Sequence, residues 1–296
     1  MREEALLLGP HQLNVGVFTP AADSVKGLSS IAAICITAGL LHHVGPHRMH
    51  VLLARALAKM GISTLRFDLS GIGDSSVRVD DLPAQEVPVQ EINEAIYELE
   101  SRGFKRFILF GFCSGAAQAL KAAAGNPKIA GLILVNTGSD DSNTQVDPQP
   151  AAQMYFRYSF WKLNAWKNLF TGKVNYRALI ITLFSALIHR LKGNNKNVTS
   201  VEERLQNQIQ PFMQQGTSIL LVLSDRHTQI YTLYEKAFEK LQCKQFKTLV
   251  YDETDHLFTS LSLQQDLIDR ICQWSGELAQ EKVRDTSADF ITKTVA

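Results

Sequence analysis

The stretch Phe107-Ile108-Leu109-Phe110-Gly111-Phe112-Cys113-Ser114-Gly115-Ala116-Ala117 decides how this chain is read. A continuous apolar run leads into a glycine-flanked turn, and alanines open a helix behind it. Cys113 stands at the tip, with Gly111 two residues before it and Gly115 two residues after. A nucleophile elbow needs this layout. The tip residue takes a strained backbone that lifts its side chain above the sheet, while strand and helix pass too close for side chains at the flanking positions. In the frame shifted by one, Ser114 needs glycines at 112 and 116, where the chain has Phe112 and Ala116. Cys113 is therefore the candidate nucleophile. Ser114 is expected to contribute its backbone N–H to an oxyanion hole, not its hydroxyl to attack. A helix starting just after Cys113 also favours its thiolate.

Working outward, the same kind of apolar run recurs at Ile31–Thr37, Ile62–Phe67, Ile129–Val135, Ile219–Leu223 and Thr248–Tyr251. Runs without polar alternation suit strands buried on both faces of a parallel sheet. Helical patterns separate them at Met49–Lys59, Val89–Ser101, Ala116–Ala124, Thr228–Leu241 and Leu261–Trp274. Strand–helix alternation predicts a mostly parallel sheet with helices on both faces. Ala5–Leu8 and Leu13–Phe18 flank Gly9-Pro10 and read as an opening antiparallel hairpin. The alternation breaks once, for about eighty residues between Val135 and Ser218. Gln153–Phe170, Asn175–Leu191 and Val201–Gln214 look helical there. The domain reading is a core at 1–138 and 217–276, a helical cap at 139–216, and a polar, frayed C-terminal tail at 277–296.

Partners for the nucleophile are sought on loops at strand ends, in the chain order nucleophile, acid, base. Ser224-Asp225-Arg226 follows one strand and Asp252-Glu253-Thr254-Asp255-His256 follows the last. His256 is the candidate base and Asp225 the acid that fixes its tautomer, with Asp140 and Asp141 as competing positions. Asp252 and Asp255 read as loop-capping residues. The second oxyanion donor is expected from Ala38-Gly39-Leu40-Leu41, with the N–H of Leu40 preferred and that of Leu41 second. His42, His43, His47 and His50 form a histidine group without an evident carboxylate to complete a set, so no metal is expected. Arg66-Phe67-Asp68-Leu69-Ser70-Gly71-Ile72-Gly73-Asp74-Ser75 matches neither phosphate-loop spacing and reads as a tight turn pinned by Asp68.

Composition sets outer limits. The 296 residues carry 45% apolar and 20% charged side chains with a formal net charge of +1, as in a soluble globular protein, and nothing global points to nucleic acid. Four scattered cysteines without CxxC spacing suit a reducing compartment. The first nine residues include Glu3 and Glu4 and lack the basic start of a signal peptide. Ala178–Ile188 spans about half of a membrane. A cytoplasmic protein without a cofactor is expected.

Gly-Phe-Cys-Ser-Gly, Arg-Phe-Asp-Leu-Ser-Gly-Ile-Gly-Asp-Ser and Asp-His-Leu-Phe together resemble the serine aminopeptidase-like α/β-hydrolases, and more narrowly the exosortase A-associated hydrolases. Val44-Gly45-Pro46-His47-Arg48 and Phe160-Trp161 through Lys173-Val174 are similar to stretches of that group. The resemblance runs over roughly residues 10–275. It implies an α/β-hydrolase fold with a helical cap insertion, and its nucleophile, base and acid fall on Cys113, His256 and Asp225. One departure is Gly39-Leu40-Leu41, where the group has Gly-Pro-Gln.

A cysteine at the elbow narrows the chemistry. A thiolate leaves more readily than an alkoxide, so attack on an alkyl ester mostly reverses, whereas a thioester or activated ester transfers its acyl group. The expected reaction is hydrolysis of an activated acyl substrate through an acyl-enzyme. An acyltransferase using an amine or alcohol acceptor is the alternative, and a non-catalytic scaffold docking through its cap is a third. From Pro148 to Val201 there are eight Lys and Arg residues and no Asp or Glu, interleaved with aromatics. Such a cap suits a carrier protein, the phosphates of CoA, or peripheral contact with an anionic membrane.

Overall fold

The computed structural model describes residues 2–22, 30–137, 201–224 and 243–294. Asp225, Asp140, Asp141, the expected helix at Thr228–Leu241 and the cap helices before residue 201 lie outside them. Among the described residues the strands are β1 (Glu4–Leu8), β2 (Asn14–Thr19), β3 (Ile31–Ile36), β4 (Ser63–Phe67), β5 (Arg106–Phe112), β6 (Ile129–Val135), β7 (Ser218–Ser224) and β8 (Phe246–Tyr251). They form one sheet in the order β1-β2-β4-β3-β5-β6-β7-β8. β1 pairs with β2, and β2 with β4, antiparallel. Every other pairing is parallel.

Among the described residues the α-helices are α1 (Met49–Lys59), α2 (Val87–Ser101), α3 (Ser114–Ala123), α4 (Val201–Gln214) and α5 (Leu261–Thr294). All seven residues of β6, and all seven of β7, are buried. That burial needs apolar cover on both faces, and two core clusters supply it. Leu109, Leu132 and Leu221 share one face with Ile92 and Ile96 of α2 and Ala116 and Ala119 of α3. Ile108, Ile133 and Val222 share the other with Leu53 and Leu57 of α1 and Leu267 and Ile271 of α5. Alternate side chains of each strand thus enter opposite layers, as the pleat requires.

Two expected boundaries are corrected. Val201–Gln214 is a helix, as predicted, but Ile209 and Phe212 bury themselves in the same cluster as Leu109 and Leu221. This stretch belongs to the core, and not to a cap running to residue 216. Nor does a frayed tail begin at 277: α5 continues to Thr294, with Leu278 and Ala279 buried. An ideal Cβ on Gly131 of β6 would lie 2.6 Å from Leu278 and 2.9 Å from Trp274, so the bare glycine is what lets α5 lie this close to the sheet. No described helix is long and apolar enough to cross a membrane.

His50 of α1 is buried, with its ring edge-on to Phe110 at 5.3 Å. Neither ring nitrogen has a hydrogen-bond partner of normal geometry among the described residues. Burial first, and then the Arg66 charge, pushes its pKa down to about 4. Below pH ~6.5 the unfolded chain gains a proton at this position that the folded chain refuses until about pH 4. Stability is therefore full above the unfolded pKa and is lost as the pH falls through this window. The melting temperature is expected to drop as the pH falls across it, by an amount equivalent to at most about 3 kcal/mol. His50→Leu is expected to flatten that part of the curve. An unchanged pH slope in the variant would remove His50 as the cause.

Candidate functional site

β5 is flanked by β3 and β6, with Ile36 paired to Gly111 and Phe112 to Val135. Cys113 leaves the end of β5 at φ 52°, ψ −117° and becomes the N-cap of α3. Its N–H donates to the carbonyl of Val135 at 2.8 Å, so the bend is tied to the end of β6. A non-glycine residue at positive φ is strained, and the surroundings must hold it there. They do so by close backbone approach. An ideal Cβ on Gly111 would lie 2.5 Å from the α-carbon and 2.6 Å from the nitrogen of Ala116. One on Gly115 would lie 2.7 Å from the carbonyl oxygens of Ile36 and Thr37. Both glycines are thus required, and the half-buried thiol stands at the C-terminal edge of the sheet.

The loop after β3 is fastened to this bend. The N–H of Gly39 donates to Ser114 Oγ at 2.8 Å, so the Ser114 hydroxyl has a structural task. The N–H of Leu41 closes a turn onto the carbonyl of Ala38 at 2.9 Å. That leaves the Leu40 N–H without a partner among the described residues. As the first residue of α3, Ser114 has no intrahelical acceptor for its own N–H. Leu40 is 90% exposed, an unusual position for a leucine and one that places a bare apolar side chain on the loop.

His256 lies on the loop after β8, and its ring meets Phe112, the residue before Cys113, edge-on at a centroid distance of 5.6 Å. Asp255 caps this loop: its carboxylate accepts from the N–H groups of Leu257 at 2.8 Å and Thr259 at 3.2 Å, and from the Thr259 hydroxyl. The Thr259 hydroxyl first, aided by those amides, holds its carboxyl below the usual range. Asp255 is thus occupied as a cap, in line with the sequence reading.

Sequence reasoning missed Asn136. It follows β6 at φ 49° and is buried, and its side chain reaches both β7 and the His256 loop. Nδ2 donates to Ser224 Oγ at 2.7 Å and to the carbonyl of His256 at 2.8 Å, while Oδ1 accepts from the N–H of Ser224 at 2.8 Å. The available signal was an asparagine directly after a buried strand, at a position that tolerates the left-handed region.

The family model for the alpha/beta hydrolase fold matches residues 33–268. The chain belongs to the α/β-hydrolase family. Solved structures similar to this hydrolase include an esterase from Pyrococcus furiosus (13% identity, TM-score 0.56, 94% of this chain and 91% of that one covered). Others are a proline iminopeptidase from Mycobacterium smegmatis (12%, 0.57, 95% and 100%) and an α/β serine hydrolase without lid from Xanthomonas campestris (16%, 0.52, 93% and 95%). At such identities the likeness is one of fold. Among curated proteins no sequence relative matches.

The histidine group of this hydrolase differs from expectation, because carboxylates do adjoin it. His42, His43, Asp68 and Asp74 bring ligand-type atoms within 4.8 Å of one another. Asp68 accepts from the His43 N–H at 2.5 Å, from His43 Nδ1 at 2.8 Å and from the Asp74 N–H at 3.1 Å. Burial lifts its carboxyl, but the bonds from His43 and Asp74 outweigh burial and hold it below the usual range. The Val44 N–H donates to His42 Nδ1, so the ring proton sits on Nε2 and faces Asp74 at 3.0 Å. Both nitrogens facing the carboxylates are thus donors, and a cation would have to displace each proton. The group satisfies itself as a hydrogen-bonded pin between the loop after β3 and the turn after β4.

Burial divides the four thiols: Cys35 and Cys272 are enclosed, Cys113 is half-buried and Cys243 is exposed. Burial pushes Cys35 and Cys272 up to about 12, whereas Cys243 is exposed. Near pH ~8, iodoacetamide is expected to modify Cys113 and Cys243 in the native protein and the other two only after unfolding. Peptide mapping checks this, and native labelling of Cys35 would contradict it. Gly111→Ala is expected to cost about 3 kcal/mol in denaturant unfolding, because the obstructing atoms are backbone and cannot swing aside.

Proposed function

We propose that this α/β-hydrolase works through a cysteine nucleophile and a covalent acyl-enzyme, on a thioester or similarly activated acyl substrate. The observation that carries the reading is the strained Cys113 at a bend where positions 111 and 115 admit only glycine, with the His256 ring against the adjoining Phe112. Within the family we place the chain among the exosortase A-associated hydrolases, on the motif Gly-Phe-Cys-Ser-Gly and its companions.

In this reading His256 takes the thiol proton, and Sγ of Cys113 attacks the acyl carbon. Negative charge develops on the carbonyl oxygen, where the N–H groups of Ser114 and Leu40 receive it. The carbon–sulfur bond to the leaving thiolate breaks, and His256 returns its proton to that thiolate. Water, deprotonated by the same imidazole, then attacks the Cys113 thioester, releasing the acid and restoring the thiol. Asp225, the residue that follows β7 in the sequence, is assigned the role of steadying the imidazole. The basic, aromatic stretch Pro148–Val201 favours an anionic carrier of the acyl group, with CoA phosphates as the simplest example.

Intact-mass analysis after mixing with short- and medium-chain thioesters is expected to show an acyl adduct that Cys113→Ala abolishes. Thioesters are expected to turn over faster than matched alkyl esters by at least about 10-fold, and acyl-CoA to beat its phosphate-free pantetheine analogue at low salt. Faster turnover of alkyl esters, or an adduct persisting in Cys113→Ala, would overturn the nucleophile assignment. Product formed with an added amine in place of free acid would redirect the reading to acyl transfer.

A further inference from the structure

We infer that Asn136 is a positioning residue of this hydrolase, setting the height of the base-bearing loop above the elbow; the inference rests on the catalytic reading of Cys113 and His256. Three observations converge on it. First, Asn136 follows Val135, whose carbonyl receives the Cys113 N–H, and its own N–H donates to Val222 of β7 at 2.8 Å. It therefore directly follows the strand that anchors the nucleophile's bend. Second, its amide grips the carbonyl of His256 itself, 120 positions further along the chain. Third, Ser224 closes the circuit: it exchanges two bonds with the Asn136 side chain, and its hydroxyl donates to the carbonyl of Asp255 at 3.2 Å. Both carbonyls of the Asp255–His256 step are thus held from β6 and β7.

Asparagine suits this task in a way its neighbours in size do not. The position demands φ near +50°, two donors pointing at two acceptors, and one acceptor for a backbone N–H. Asparagine tolerates that backbone and carries two N–H donors and a carbonyl oxygen on one short, planar group. Aspartate keeps the acceptor and the backbone but has no N–H donors, leaving the His256 carbonyl facing an oxygen. Glycine accepts the backbone and supplies none of the bonds. Asn136 and Ser224 are buried, their bonds to the Asp255–His256 step are part-buried, and each polar atom of the Asn136 side chain has a partner, the condition under which such a cluster holds one geometry.

The test uses the full chain with Cys243→Ser, so that alkylation reports on Cys113. Asn136→Gly removes the clasp without adding backbone strain, and Asn136→Asp serves as the near-isosteric variant if the first does not fold. In a folded variant kcat on a thioester is expected to fall about 10- to 100-fold with KM within about 3-fold, as for a displacement of a base by about 1 Å. The pH profile of Cys113 alkylation is expected to move toward that of His256→Ala. Either folded variant with an unchanged kcat and an unchanged alkylation profile, whatever its melting temperature, would reduce Asn136 to a structural residue and overturn the inference. If His256→Ala itself leaves the alkylation profile of the parent untouched, the catalytic reading fails and the inference fails with it, so the two failures are told apart.

Discussion

The architecture of the site depends on how closely the backbone of α3 approaches the ends of β5 and β3. A side chain at Gly111 would run into the main chain of Ala116, and one at Gly115 into the carbonyl oxygens of Ile36 and Thr37. Between these two bare positions the chain turns from strand to helix through a non-glycine residue at positive φ. Cys113 is that residue. Its projection above the sheet is a consequence of two missing side chains, not of any attraction felt by the thiol. The strands on either side then determine what stands next to it: the loop after β3 on one flank and Asn136, at the end of β6, on the other.

The parallel sheet was legible because β3, β5, β6 and β7 are uninterrupted apolar segments, a pattern that few other structures explain. The elbow was legible for a similar reason, since glycines two residues either side of a cysteine have no purpose in an ordinary turn. Much less could be read where one residue's meaning lies in distant partners. Asn136 looks like a common turn residue until its bonds to Ser224 and His256, 88 and 120 positions away, are seen. Asp68 signals a turn in its own segment, yet also holds His43, 25 positions earlier. The helices mislaid at the boundaries share this cause. Ile209 and Phe212 mark an apolar stripe on α4 without saying which surface it meets, and Leu278 with Ala279 is too short a pattern to announce burial.

The buried polar groups are arranged by the same economy. Asp68 and Asn136 each gather bonds from two or three segments at the C-terminal edge of the sheet, where the loops leave regular structure and lose their ladder partners. Each satisfies main-chain donors or acceptors that would otherwise be stranded, and in doing so joins segments far apart in the chain. Cys35 and Cys272 show the opposite treatment of a polarisable group. Both are enclosed by hydrocarbon, their thiols kept protonated by burial, and no described loop is fastened around them. Of the four cysteines, two are enclosed filler, Cys243 is exposed, and Cys113 stands half-open at a strained bend.

The bond from the Gly39 N–H to Ser114 Oγ joins the loop after β3 to the first residue of α3 across 75 positions of chain. Mechanically, it behaves like a rivet through two plates. The bond ties Gly39 to Ser114, so the neighbouring Leu40 amide and the Ser114 amide take their positions from one shared anchor. Two dipoles, one borne by a loop and one by a helix start, are thereby referred to the same fastening point.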